Sequence, residues 1–169
     1  MRFLILFIFL TTNVFANDVS EIKNIVIHKD LKVYDNVIFL DKNDKKISIK
    51  EFNGNLLLLN FWATWCEPCK EEMPSLDRLQ INRNLSNLKI FAINISQESK
   101  KKVDNFFKDL KIENFDAYFD APKTLAKTLS LRGVPTSILI DKEGKEFARI
   151  IGSINFDDKK FINWLKTYN

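Results

Sequence analysis

The chain has 169 residues, 46% hydrophobic and 28% charged, a balance that excludes a disordered or low-complexity polymer. Fifteen phenylalanines against four glycines and four prolines imply a packed core, and the length suits one domain. The net charge of +4 invites a nucleic-acid reading, but the lysine runs at 45–46, 100–102 and 159–160 are short, scattered and balanced by nearby Asp and Glu, so a solvated surface and no nucleic-acid partner are expected.

Arg2 precedes an apolar run at residues 3–10, followed by Thr11, Thr12, Asn13 and then Val14-Phe15-Ala16. A short positive start, an apolar stretch and small residues at the −3 and −1 places describe a secretory signal cleaved after Ala16. Residues 3–16 fall short of the about 20 apolar residues a spanning helix needs, so a membrane-anchored form is disfavoured. Residues 1–16 therefore read as a signal peptide and 17–169 as one mature domain in a bacterial periplasm. No element is assigned to residues 17–35.

Residues 37–40 (VIFL) and 47–49 (ISI) flank a polar turn, the pattern of an N-terminal β-hairpin. Residues 56–61 (LLLLNF) form a continuous apolar run, as expected of a strand buried on both faces. A helix is predicted over 67–84, with a kink at Pro74, which lacks an N–H and crowds the carbonyl of Lys70. Residues 88–95 (LKIFAINI) read as a second buried strand. Val103, Phe106, Phe107 and Leu110 share one helical face. A short strand is expected at 115–119, then a helix capped by Asp120 and continuing through Leu125 and Leu129.

Residues 136–141 and 147–151 pair as a hairpin around Asp141-Lys142-Glu143-Gly144. Phe161, Trp164, Leu165 and Tyr168 mark a last helix, with Asn155 and Asp158 near its start. This order demands an α/β fold: a mixed central β-sheet with helices on both faces. Its two long buried strands should be parallel neighbours.

The only two cysteines stand in FWATWCEPCKEEMP, residues 61–74. A structural Cys66–Cys69 link would close a tiny loop and constrain the unfolded chain little. Two thiols, with the single histidine, His28, far off in sequence, fall short of a four-ligand zinc site. Redox chemistry needs only what is present. Cys66 sits where a strand gives way to a helix, whose free N–H groups and dipole stabilise a thiolate. Cys66 is thus the expected nucleophile and Cys69 the resolving thiol. Pro68 suits the first helical turn. Glu67 opposes the thiolate and favours a reductant over a strong oxidant.

W-C-x-P-C after a buried strand, with G-V-P-T before a later one, resembles the thioredoxin superfamily. The longer strings NFWATWCEPCKEEMP and RGVPTSILIDKEG resemble its exported branch of TlpA-, ResA- and CcmG-like thiol-disulfide oxidoreductases. The resemblance implies a thioredoxin-like fold, no cofactor and no metal. It also implies a disulfide-bearing protein substrate (apocytochrome c or a copper-site assembly protein) and electrons from a membrane thiol transporter of the CcdA or DsbD type. Pro135, after Val134, matches the family's cis-proline facing the redox pair. Glu72 matches an acidic residue that exchanges a proton with the resolving thiol. Asn60 replaces a buried aspartate of ordinary thioredoxins. Trp65 is expected on the surface beside Cys66, with Glu67, Pro68 and Val134 completing the substrate-contacting set, and Trp62 in the core.

Two other readings stay open: a disulfide oxidant or isomerase, and a Cu(I) metallochaperone using the two soft thiolates. An isomerase would carry a dimerisation domain, whereas the layout here reads as a monomer. A copper carrier would add ligands beyond Met73 and His28.

Overall fold

The computed structural model describes residues 22–120, 122 and 124–169, so the signal segment expected at 1–16 lies outside the described residues. Eight strands form one mixed sheet: β1 (Ile25–Val33), β2 (Ile38–Leu40), β3 (Lys46–Ser48), β4 (Leu56–Trp62), β5 (Leu88–Asn94), β6 (Ala117–Phe119), β7 (Thr136–Ile140) and β8 (Lys145–Ile151). Their spatial order is β1-β8-β7-β4-β5-β6-β2-β3. The helices are α1 (Glu67–Gln80), α2 (Lys100–Asp109), α3 (Leu125–Thr128) and α4 (Lys159–Leu165).

β4 lies at the centre because every one of its side chains can be buried, and all seven are. Each buried leucine there contributes about 2 kcal/mol of apolar transfer. β4 pairs in parallel with β5, as the sequence predicts for its two apolar runs, and antiparallel with β7. The alternation of β4 splits the core. Leu56, Leu58 and Trp62 pack with Met73, Leu76, Val103, Phe106, Phe161 and Trp164 of α1, α2 and α4. Leu57, Leu59 and Phe61 share a cluster with Leu125 of α3 and its C-cap Leu129, and with Phe39 of β2 and Val37 and Ile49, which flank the N-terminal hairpin. Helices thus cover both faces, unevenly.

The two predicted hairpins form, β2 with β3 and β7 with β8, and Gly144 takes φ +80° at the second turn. α1 stops at Gln80 rather than Asn84, and Pro74 lies inside it. A separate 3-10 turn, Arg83–Leu85, follows because the Asn82 side chain accepts the Asn84 N–H at 3.0 Å. Asp120 accepts the Thr124 and Leu125 N–H groups, but the N-cap position belongs to Thr124, so Asp120 braces the helix start from four residues upstream and does not occupy the cap. The helix it starts is only one turn, because Ser130 adopts a left-handed φ of 50° and ends it.

β1 is the element that sequence reasoning missed. It pairs antiparallel with β8 at one edge of the sheet. Its register shifts between Ile27 and Lys32, around His28-Lys29-Asp30, so no clean alternation survives in IVIHKDLKV. β8 has its own irregularity. Leu139 faces Ala148 while Ile140 faces Glu146, leaving Phe147 as an extra residue. That bulge brings Phe147 and Ala148 to the α1/α4 side together, and it places Glu146 and Arg149, three apart, on the same opposite face.

Candidate active site

Cys66 is the N-cap of α1. Its Sγ accepts the Cys69 N–H at 3.3 Å, and Pro68 fills the first turn. The two cysteines are bonded, with S–S 2.06 Å and Cα atoms 5.3 Å apart. Both are buried, Cys69 completely. The sulfurs thus lie where unpaired amide groups at the helix start stabilise negative charge on whichever thiol is freed.

The loop entering the helix is tied down by residues that sequence reasoning did not single out. Glu98, between β5 and α2, accepts the Thr64 N–H at 3.1 Å, the Asn94 Nδ2 at 3.0 Å and the Lys102 Nζ at 2.6 Å, and it also takes the Thr64 hydroxyl. Burial pushes the Glu98 carboxyl up, but the donors from Lys102, Thr64 and Asn94 outweigh it and hold the pKa at about 2. The Trp65 indole Nε1 donates to Ser96 Oγ at 3.0 Å. Glu98 precedes an ordinary Ser99 helix cap, and nothing in QES marks it as an anchor for a loop 34 residues away.

Trp65 is 66% exposed and Trp62 fully buried, stacked on Phe106 at 4.8 Å, the division the sequence predicts. Glu67 is exposed and pairs with Lys70 at 2.7 Å, so Lys70 offsets much of its expected effect on Cys66.

Glu72, one turn beyond Cys69 on α1, is only 2% exposed. Its Oε1 accepts the Asn60 Nδ2 at 2.8 Å, and the same amide donates to Ser137 Oγ at 2.9 Å. Glu72 Oε2 and Asn60 Oδ1 are buried without a hydrogen-bond partner. Burial pushes the Glu72 pKa up to about 8. Asn60 and, more loosely, the Ile154 backbone work against the rise without cancelling it; Ile154 makes no formed bond to Oε2. An open cavity of about 440 Å³ reaches Glu72 between α1 and residues 153–155. A carboxyl that holds its proton near neutral pH and borders solvent can exchange a proton with a nearby thiol.

The Val134–Pro135 bond is cis. Thr136 pairs with Phe61, so Pro135 comes alongside the end of β4 that leads to Cys66. Val134 packs against the core cluster that contains both cysteines. The fold therefore gathers Cys66, Cys69, Glu72, Trp65, Pro68 and the 134–135 turn at one end of the sheet, with Glu67 turned to solvent. His28 is engaged elsewhere, 2.7 Å from Glu146.

Residues 21–161 match the family described as Redoxin. A thiol-disulfide oxidoreductase ResA of Bacillus cereus is 37% identical over 117 residues, covering 69% of this chain and 66% of that protein, just under two thirds of its length. The crystal structure of StoA from Bacillus subtilis matches with a TM-score of 0.62 at 25% identity, over 78% of this chain and 94% of that one. A thiol:disulfide interchange protein of the thioredoxin family from Chlorobium tepidum TLS matches with a TM-score of 0.67 at 23% identity, over 82% and 98%, and so speaks for the fold. With its helix-capping cysteine pair on a thioredoxin-like α/β sheet, the chain belongs to the Redoxin family.

Proposed function

We propose that the chain is a thiol-disulfide oxidoreductase that reduces disulfides in partner proteins through Cys66 and Cys69. The observation that carries this reading is the Cys66–Cys69 bond at the N-terminus of α1, beside an exposed tryptophan. In the reduced protein, the Cys66 thiolate attacks one sulfur of the partner's disulfide, forming a Cys66–partner bond and expelling the partner's other sulfur as a thiolate. Cys69 then attacks the Cys66 Sγ, which restores the Cys66–Cys69 bond and frees the partner's second thiolate. Two electrons pass to the partner, and Glu72, once it has released its own proton to the bordering cavity, takes the proton that Cys69 loses.

The setting is proposed as the periplasm, on the strength of the signal-like residues 2–16. The resemblance to exported ResA- and CcmG-like proteins supports apocytochrome c or a copper-site assembly protein as substrate, and a CcdA- or DsbD-type membrane transporter as electron donor. The reduction potential tests the direction of flow. A value near that of thioredoxin, about −270 mV, or below it is expected, whereas a value near about −120 mV would make the protein a donor of disulfides.

A further inference from the structure

A second cavity, of about 350 Å³, opens on the α3 face of the sheet. It starts at Thr136 and Ile151, which are paired across β7 and β8 at the end of the sheet where Cys66 lies, and runs back to Lys32 on β1. Its apolar walls are Val26 and Ile151, each nearly half exposed. Its charged lining is cationic, Lys32, Arg132 and Arg149, and His28, Ser130 and Thr136 complete its polar lining. Among the described residues no Asp or Glu lines it.

The three cations differ in what they can still do. Arg149 is committed inward. Its Nε and Nη2 donate to the Glu146 carboxylate at 2.8 and 2.9 Å, and Nη1 donates to the Leu129 carbonyl at 2.8 Å. Glu146 neutralises it and is itself fully buried. Lys32 and Arg132 are exposed, and neither has an ion-pair partner among the described residues. The cavity therefore carries two positive charges without an ion-pair partner beside the apolar walls of Val26 and Ile151. Arg132 stands two residues before Val134, on the loop that leads into the cis Val134–Pro135 bond.

We propose that this cavity is a docking subsite for an acidic segment of the disulfide-bearing partner. The inference rests on the oxidoreductase reading and adds to it a substrate preference. A partner chain laid over Cys66 and past Val134 reaches Thr136 and Ile151 next. A carboxylate following the partner's cysteine then meets Arg132 and Lys32, while its methylenes cover Val26 and Ile151. An extended strand suits the place, because β1 is a sheet edge with its outer backbone groups unpaired in the sheet.

The test uses the full reduced chain and three model disulfide peptides that differ only in two residues after the cysteine: Glu-Glu, Gln-Gln or Lys-Lys. Each rate is divided by the same variant's rate on neutral 2-hydroxyethyl disulfide, which reads Cys66 chemistry alone. The expected result at low salt is a preference of about fivefold for Glu-Glu over Gln-Gln, as two partly screened ion pairs provide, declining at high salt. The preference should vanish in K32A/R132A and turn towards Lys-Lys in K32E/R132E. Equal rates on all three peptides, or a preference that survives both double variants, would overturn the subsite and leave the oxidoreductase reading standing. Failure to reduce even 2-hydroxyethyl disulfide would overturn the oxidoreductase reading, and the subsite with it.

Discussion

The Asn60 amide donates a 2.8 Å hydrogen bond to Glu72 across the interior, from the central strand to the helix that carries both cysteines. Among the described residues, that is the one formed hydrogen bond the Glu72 carboxyl receives, and it leaves Oε2 unpartnered. The group consequently stays protonated at pH values where an exposed glutamate is charged.

A pH-dependent stability follows, because the Glu72 pKa rises from an ordinary 4.5 to about 8 in the fold. Between those values the folded state holds a proton that the unfolded chain has lost. The stabilisation is fully present below about 4.5 and is lost as pH rises through about 8. Its slope is roughly 1.4 kcal/mol per pH unit. Urea unfolding of the oxidised protein at about pH 5 and about pH 7.5 measures it. Glu72→Gln should flatten this trend, and equal slopes in the two proteins would refute the assignment.

Asn60→Asp restores a second carboxyl beside the first. Two acids at hydrogen-bond distance share one proton readily but resist losing it, so the pair should titrate in two separated steps. Carboxyl carbon NMR of the variant should show one apparent pKa above that of Glu72 in the parent. A single step at the parent position would refute the coupling.

Glu98 is predicted to hold the Thr64-Trp65-Cys66 turn. Glu98→Ala leaves the Thr64 amide and the Asn94 side chain without their acceptor, which costs about 1–3 kcal/mol. The acid side has its own signature. The Glu98 pKa of about 2 contributes stability that is present above the ordinary 4.5 and is lost as pH falls towards 2. Acid unfolding of Glu98→Gln should therefore lack part of the parent's steepness in that window. Trp65, bonded to Ser96 on the same loop, should report the change as a shift in fluorescence.

Glu146→Ala strands the Arg149 guanidinium in the interior. Removing one partner of a buried pair typically costs about 3–5 kcal/mol, whereas replacing both with apolar residues is nearly neutral. The double variant Glu146→Leu/Arg149→Leu should recover most of the loss in urea unfolding. Additive losses would show the two residues to be energetically independent.

Trp65→Ala should leave stability within about 0.5 kcal/mol, because the ring is largely in solvent. Reduction of a protein disulfide should slow by about tenfold, the loss of an apolar contact of roughly 1.4 kcal/mol, while reduction of a small-molecule disulfide should hardly change. Equal slowing of both would assign Trp65 to the chemistry of Cys66 instead of to partner contact.

The elements that sequence analysis located are those whose packing repeats with a short period. Leu56–Trp62 is buried on every residue, so its apolar run is unbroken, and Val103 and Phe106 mark a helical stripe. The placement of the two cysteines follows from the strand-to-helix boundary itself. β1 was illegible because its register slips in the middle and most of it is exposed. The Glu98 and Ser137 contacts were illegible for another reason. They join positions 34 and 77 residues apart, and a single glutamate or serine looks the same whether it faces water or a buried amide.

The extra residue at Phe147 puts the two halves of β8 out of phase with each other. Deleting Phe147 would restore strict alternation and leave Glu146 and Arg149 two apart, still on one face, while removing the ring that stacks on Tyr168 at 4.0 Å. The extra residue therefore serves the apolar side of the strand, where it adds an aromatic ring next to Ala148 without turning either charge. The charged pair tolerates a strand one residue shorter, and the packing against α4 does not.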